Sequence, residues 1–141
     1  EMCSITNHEY MIGGFSTMYM SRNRVRNWDE QSFTIQAGGR HAPIHPQAPK
    51  MKLIEKDVRV FAPGKEHLYR RLSVRECARI QTFPNDFTFH YKKVAAGYRM
   101  IGNTVPVNLA KFLANSIMDQ LKSNEHKLSK IEKAKMNDVL G

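Results

Sequence analysis

Arg22, Arg24 and Arg26 alternate through Ser21-Arg22-Asn23-Arg24-Val25-Arg26-Asn27-Trp28, and Arg40 follows the Gly38-Gly39 pair. On an extended backbone, residues two apart share a face, so this spacing predicts a row of guanidinium groups. Like charges side by side repel unless an anion lies across them. The competing reading is a solvated edge strand that charge keeps from pairing. The glycine pair before Arg40 predicts a tight turn, with positive φ or a close approach to a ligand. His41 and His45 have a spacing that binds metal on a helix, but Pro43 and Pro46 argue against a helix there, so no metal is implied. Farther on, Gly102-Asn103-Thr104-Val105 leads into Pro106 and an apolar-periodic run. Free amides and the dipole at such a helix start favour an anionic group such as a carboxylate.

Phe15 to Met20 alternates larger apolar with smaller or polar side chains and predicts a strand running on into the arginines. Gln31 to Ala37 alternates again, burying Phe33, Ile35 and Ala37, and Asp57 to Phe61 predicts a short strand ended by Pro63-Gly64. Ser73 and Glu76 form a capping box that starts a helix near Val74, and Phe83-Pro84 stops it. Val74, Cys77 and Ile80 are expected to face a core, with Arg75 and Arg79 on the other side. Pro106 suits the first position of a second helix, reaching to Lys122 with Val107, Leu109, Ala110, Leu113, Ala114, Ile117 and Leu121 on one stripe. The Lys-rich tail, 123–141, reads as a polar helix.

Composition bounds the function. The 141 residues make one domain of ordinary hydrophobic and charged content, 41% and 25%. Against 13 Asp and Glu stand 22 Lys and Arg, a net charge of +9, and the pI is near 9.8. Such an excess favours a polyanionic partner, nucleic acid before others. Two cysteines, Cys3 and Cys77, make no disulfide framework and no zinc pair, which fits a reducing intracellular setting. No apolar run approaches the ~18 residues of a membrane span, and no secretory pattern opens the chain.

RRLSVRECARIQTFP, ending at Pro84, resembles the ninth shared motif of cytosine-5 DNA methyltransferases. YRMIGNTVPVNLA, Tyr98 to Ala110, resembles the tenth, in the family's order and spacing. FSTMYMSRNRVRNWDEQSFTIQAGGRHAPIHPQAP is similar to the target-recognition region of the HaeIII-type enzymes, which methylate within GGCC. The resemblance implies an α+β fragment: a small β-rich recognition portion, 1–70, then helices that complete a Rossmann-like α/β methyltransferase domain. Residues 71–122 would return to the catalytic domain, and 123–141 would be a basic helical tail. It implies guanine-reading roles for Arg22, Arg24 and Arg40, with Ser21 and Arg26 as further DNA contacts. Arginine suits the task, because it bonds both O6 and N7 of guanine in the major groove. Met18 is either an apolar wedge near the gap left by an extruded cytosine or a core residue. Asn103, Thr104 and Val105 match positions that line the S-adenosylmethionine pocket, while Arg75, Glu76 and Arg79 would organise the recognition portion.

The family's chemistry needs a cysteine thiolate in a Pro-Cys pair, to attack C6 of a flipped cytosine. Neither Cys3, after Met2, nor Cys77, after Glu76, qualifies. The glycine-rich cofactor loop has no counterpart either. The chain therefore reads as the C-terminal part of a cytosine-5 DNA methyltransferase, acting in the cytoplasm on double-stranded DNA with an N-terminal catalytic half in cis or trans. It would be a truncated chain, a proteolytic fragment or the smaller subunit of a split enzyme, inactive alone and able to self-associate through Val107 to Leu121. A stand-alone basic DNA-binding module and an RNA-binding domain are the competing readings.

Overall fold

The computed structural model describes residues 5–139. The chain divides into two compact units, Glu1–Pro106 and Val107–Gly141, where its length predicts one domain. In the first unit the elements are α1 (Thr17–Met20), a two-stranded antiparallel hairpin of β1 (Lys52–Glu55) and β2 (Val58–Val60), α2 (Val74–Ile80) and α3 (Val94–Gly102). The hairpin pairs Lys52 with Val60 and Leu53 with Arg59, then slips by a bulge to pair Glu55 with Val58. Around Ile44, isolated bridges join three segments: Val25 on one side and Arg71 on the other. Of the expected strands, only Asp57–Phe61 is one, and its partner β1 was not expected.

Among the described residues, 5–70 are therefore not β-rich as expected. Phe15 to Met20 is not a strand, because the Ser16 hydroxyl accepts from the Tyr19 amide and caps α1 instead. Gln31 to Ala37 keeps the expected facing, with Ile35 buried and Thr34 and Gln36 exposed, yet it pairs with no strand. Alternation reports which side chains turn inward. It does not supply a ladder partner.

Two apolar clusters hold the unit. One gathers Ile35, Ala42, Leu72, Val74, Cys77, Ala78, Phe89, Tyr98 and Ile101; the other gathers Tyr19, Val25, Ile44, Ala48, Met51 and Tyr69. Helix α2 starts at the expected capping box, Ser73 Oγ accepting from the Glu76 amide at 3.1 Å and Glu76 Oε2 from the Ser73 amide at 2.7 Å. Its first amides are met by preceding chain: Val74 donates to the Glu9 carbonyl and Arg75 to that of Asn7. The facing departs from expectation at two positions. The buried arc of α2 centres on Val74, Cys77 and Ala78, which brings Arg75 inside and leaves Ile80 exposed. Helix α3 was not expected, since glycines at 97 and 102 weaken its helical pattern.

The second unit is α4, Val107–Val139, one continuous helix that takes in most of the basic tail. Val107, Leu109, Leu113, Ile117 and Leu121 are all exposed, and so are Phe112 and Met118. No helix among the described residues is long and apolar enough to cross a membrane.

Candidate nucleic-acid interface

Helix α1 turns Tyr19 inward and leaves Met18 exposed. Tyr19 is buried and donates its hydroxyl to the Ala42 carbonyl at 2.7 Å, and burial pushes that phenol up to about 12 despite nearby Arg71 and Arg24. Met18 is 76% exposed and belongs to neither core cluster. Ser21, half-buried, donates its hydroxyl to the Met18 carbonyl at 2.8 Å. Its own carbonyl accepts from Arg59 of β2 at 2.6 Å, so the hairpin braces the loop that follows.

The arginine row does not form one face. Arg22 is exposed. Arg24 folds back, its Nε donating to the Tyr19 carbonyl at 2.9 Å and its guanidinium 4.8 Å from the centre of the Tyr19 ring. Arg26 stacks over Phe33 at 4.1 Å. Between them Val25 is buried on the Ile44 bridge, and Asn23 fastens the loop by accepting from the Met51 amide at 3.0 Å and donating to the Val25 carbonyl at 2.7 Å. A single bridge at Val25, flanked by side chains that seek aromatic faces, gives each arginine its own surroundings.

Arg40 is exposed on a 310 turn, Gly39–His41. The expected close approach at the glycine pair is real but internal. A Cβ on Gly39 would stand 2.6 Å from Tyr98 Cδ2 and 2.9 Å from Met11 Cε, so the backbone is wedged under a core ring rather than freed for a ligand. Gly38, with φ −128°, needs no unusual conformation.

Two basic residues that the sequence reading passed over fix this surface. Arg71 is buried and lies 4.0 Å over the Phe15 ring. It donates to the carbonyls of Gly13 at 3.0 Å and Gly14 at 2.8 Å, and its Nε reaches the Arg40 carbonyl at 3.4 Å. Desolvation, with Arg40 nearby, holds its pKa below the usual guanidinium range. Arg70 clamps Glu76 with bonds of 2.8 and 2.7 Å. Adjacent arginines before a capping box were visible in the sequence, but nothing there marked one for burial. The structural roles expected of Arg75, Glu76 and Arg79 take definite form: Arg75 is buried against backbone carbonyls, and Arg79 donates to Asn85 Oδ1 at 2.8 Å.

Glu76 carries a measurable consequence. Burial pushes its carboxyl up, but the bonds from Arg70 and the Ser73 amide outweigh this and bring it from 4.5 down to about 2. The folded value lies below the unfolded one, so the stabilisation is full above 4.5 and is lost as pH falls through about 2. Glu76→Gln should cost up to about 3 kcal/mol near neutral pH. The gap between wild type and variant should close across that acid window in urea titrations. A gap independent of pH would sink the assignment.

The expected cofactor-side residues sit just beyond α3. Asn103 and Val105 are exposed, and Thr104 donates its hydroxyl to the Ile101 carbonyl at 2.7 Å. Cys77 is fully buried, with its thiol pushed up to about 12 by burial and by Glu76. It cannot supply a thiolate near neutral pH. Cys3 lies outside the described residues.

Comparison with known proteins identifies the lineage. The family model for C-5 cytosine-specific DNA methylase matches residues 2–119. Among curated relatives, Type II methyltransferase M.MthTI of Methanothermobacter thermautotrophicus is 64% identical over 121 residues, 86% of this chain and 37% of that protein. Type II methyltransferase M.FnuDI of Fusobacterium nucleatum is 54% identical over 123 residues, 87% of this chain and 36% of that one. M.BsuRI of Bacillus subtilis is 46% identical, over 85% of this chain and 32% of its own length. The chain thus spans about a third of the length of these relatives. With a match over most of its residues, the chain belongs to the C-5 cytosine-specific DNA methylase family.

Proposed function

We propose that this chain is the DNA-reading and cofactor-edge portion of a cytosine-5 DNA methyltransferase of HaeIII type, working in the cytoplasm on a short duplex site, GGCC. One observation carries the reading. Arg22 and Arg40 are exposed and Arg24 half-buried on segments that Arg59, Arg71, Tyr19 and Asn23 hold in place, which is how guanine-reading side chains must be mounted. A GGCC duplex offers four guanines over its two strands, and bidentate arginine is the matching chemistry. Ser21 and Arg26 flank these readers, and exposed Met18 suits the wedge role at an extruded base.

Residues 1–70 make up the recognition portion in this reading. The stretch 71–122 brings Asn103, Thr104 and Val105 to one edge of the S-adenosylmethionine site and completes a Rossmann-like domain, with 123–141 as its tail. S-adenosylmethionine supplies the methyl group when bound; this chain's part is to orient it and to select the DNA. The nucleophile belongs to an N-terminal catalytic half, since buried Cys77 is disqualified. The exposed stripe from Val107 to Leu121 is the surface that half would cover, and a second copy of the chain is the competing occupant.

The test is complementation. The chain alone should transfer no labelled methyl group to a GGCC duplex, and adding an N-terminal polypeptide of the family should produce transfer. Transfer by the chain alone, or DNA binding with no complementation, would overturn the reading, the latter in favour of a stand-alone binding module. Arg40→Ala should cost about 1 to 3 kcal/mol of binding and relax discrimination at one base pair. An equal loss on every sequence, read by competition at fixed salt, would reduce Arg40 to a phosphate contact.

A further inference from the structure

The 310 turn of Gly39–His41 presents its side chains to two separate hollows. Arg40 lines one of about 540 Å³, together with Gly13, Gly14 and Arg71. The other, of about 160 Å³, holds Arg24 with Phe33, Thr34 and Gln36. His41 lines both, and so stands between two arginines assigned to guanines.

The mount beneath His41 is rigid although its imidazole is exposed. Its amide donates to the Gly38 carbonyl at 3.0 Å. On one side Arg71 holds the Arg40 carbonyl, and on the other the Tyr19 hydroxyl holds that of Ala42. Gly39 is pressed against Tyr98, which prevents the turn from sliding. All of this fixes the backbone, while the ring itself makes no hydrogen bond among the described residues. An imidazole offers a donor and an acceptor, and both are needed to tell base edges apart in the major groove. A fixed mount under an uncommitted polar side chain suits reading better than packing.

We propose that His41 is a specificity-determining residue that reads the base pair lying between those met by Arg24 and Arg40. The inference rests on the DNA-reading function proposed above. It is tested by fluorescence competition at fixed salt, using the full chain, a GGCC duplex and duplexes with each base pair replaced in turn. His41→Ala should lower the preference at one base pair about tenfold and leave the other preferences unchanged. His41→Gln keeps a donor and an acceptor at similar reach and should recover part of that preference. A uniform loss over all duplexes makes His41 a phosphate contact and overturns the proposal, as does an unchanged pattern in His41→Ala. If wild type itself prefers no duplex, the DNA-reading function fails first, and the His41 proposal falls with it.

Discussion

Arg75→Met is expected to destabilise the Glu1–Pro106 unit by about 3 to 5 kcal/mol, a large part of the ~5–15 kcal/mol that holds a domain of this size. Arg75 is wholly buried and pairs with no carboxylate among the described residues. Its guanidinium donates instead to the carbonyls of Thr6 at 3.0 Å, Pro84 at 3.2 Å and Phe87 at 2.6 Å, and to Asn7 Oδ1 at 3.3 Å. Methionine fills much of the same volume but takes the donor from the Thr6 and Phe87 carbonyls, while the Pro84 carbonyl keeps the Phe87 amide and Asn7 Oδ1 keeps the Phe89 amide. Each buried acceptor left unmet costs about 1 to 3 kcal/mol, and relief from desolvating a cation offsets part of the sum. The urea midpoint should fall by roughly 2 M, taking a slope of about 2 kcal/mol per M. Arg75→Lys should recover little, because an ammonium cannot span carbonyls on two segments as a planar fork does. A loss under about 1 kcal/mol in Arg75→Met would mean that water reaches these carbonyls and that Arg75 is not the fastener.

Arg75 also marks where the sequence stopped being legible. The capping box at Ser73 and Glu76 is local, so the start of α2 could be read directly from residue types. The inward face of α2 depends on what surrounds it, and the carbonyls that accept Arg75 come from residues 6 and 84–87, beyond any periodicity in the helix itself. Charge alone put Arg75 outside and hydrophobicity alone put Ile80 inside. Both rules fail when loop carbonyls collect around a guanidinium. The arginines at 22, 24 and 26 show the complementary case. Their spacing predicts one shared face, but Arg24 turns to Tyr19 and Arg26 to Phe33, partners five and seven residues away that a two-residue period does not reveal. Arg71 could not be found as the support of Arg40, because the bond to the Arg40 carbonyl closes a loop of 31 residues.

Gly102→Ala should produce the second large effect, with consequences for both faces of the unit. A Cβ there would stand 2.3 Å from the Ala37 amide nitrogen and 2.4 Å from the Gln36 carbonyl carbon, both of them backbone. No rotamer relieves such a contact, so one of the two segments must move by about 1 Å, at about 3 kcal/mol or more. Alanine ordinarily favours a helix over glycine by up to about 1 kcal/mol, so a net loss isolates the clash. Gly14→Ala is the control: nothing lies within 4 Å of its Cβ, and the change should stay within about 0.5 kcal/mol. The direction of the movement can also be read. If Gln36–Ala37 yields, the Gly39–His41 turn is displaced a few residues on, and discrimination between duplexes should weaken along with stability. If the end of α3 yields, the Asn103–Val105 turn moves instead, and DNA discrimination should survive while stability falls. An alanine variant as stable as wild type would show that the two segments do not touch. The coupling matters because Gly102 is the point where the proposed cofactor edge leans on the backbone that leads to the proposed DNA readers. Its missing side chain is what lets one unit of this size carry both.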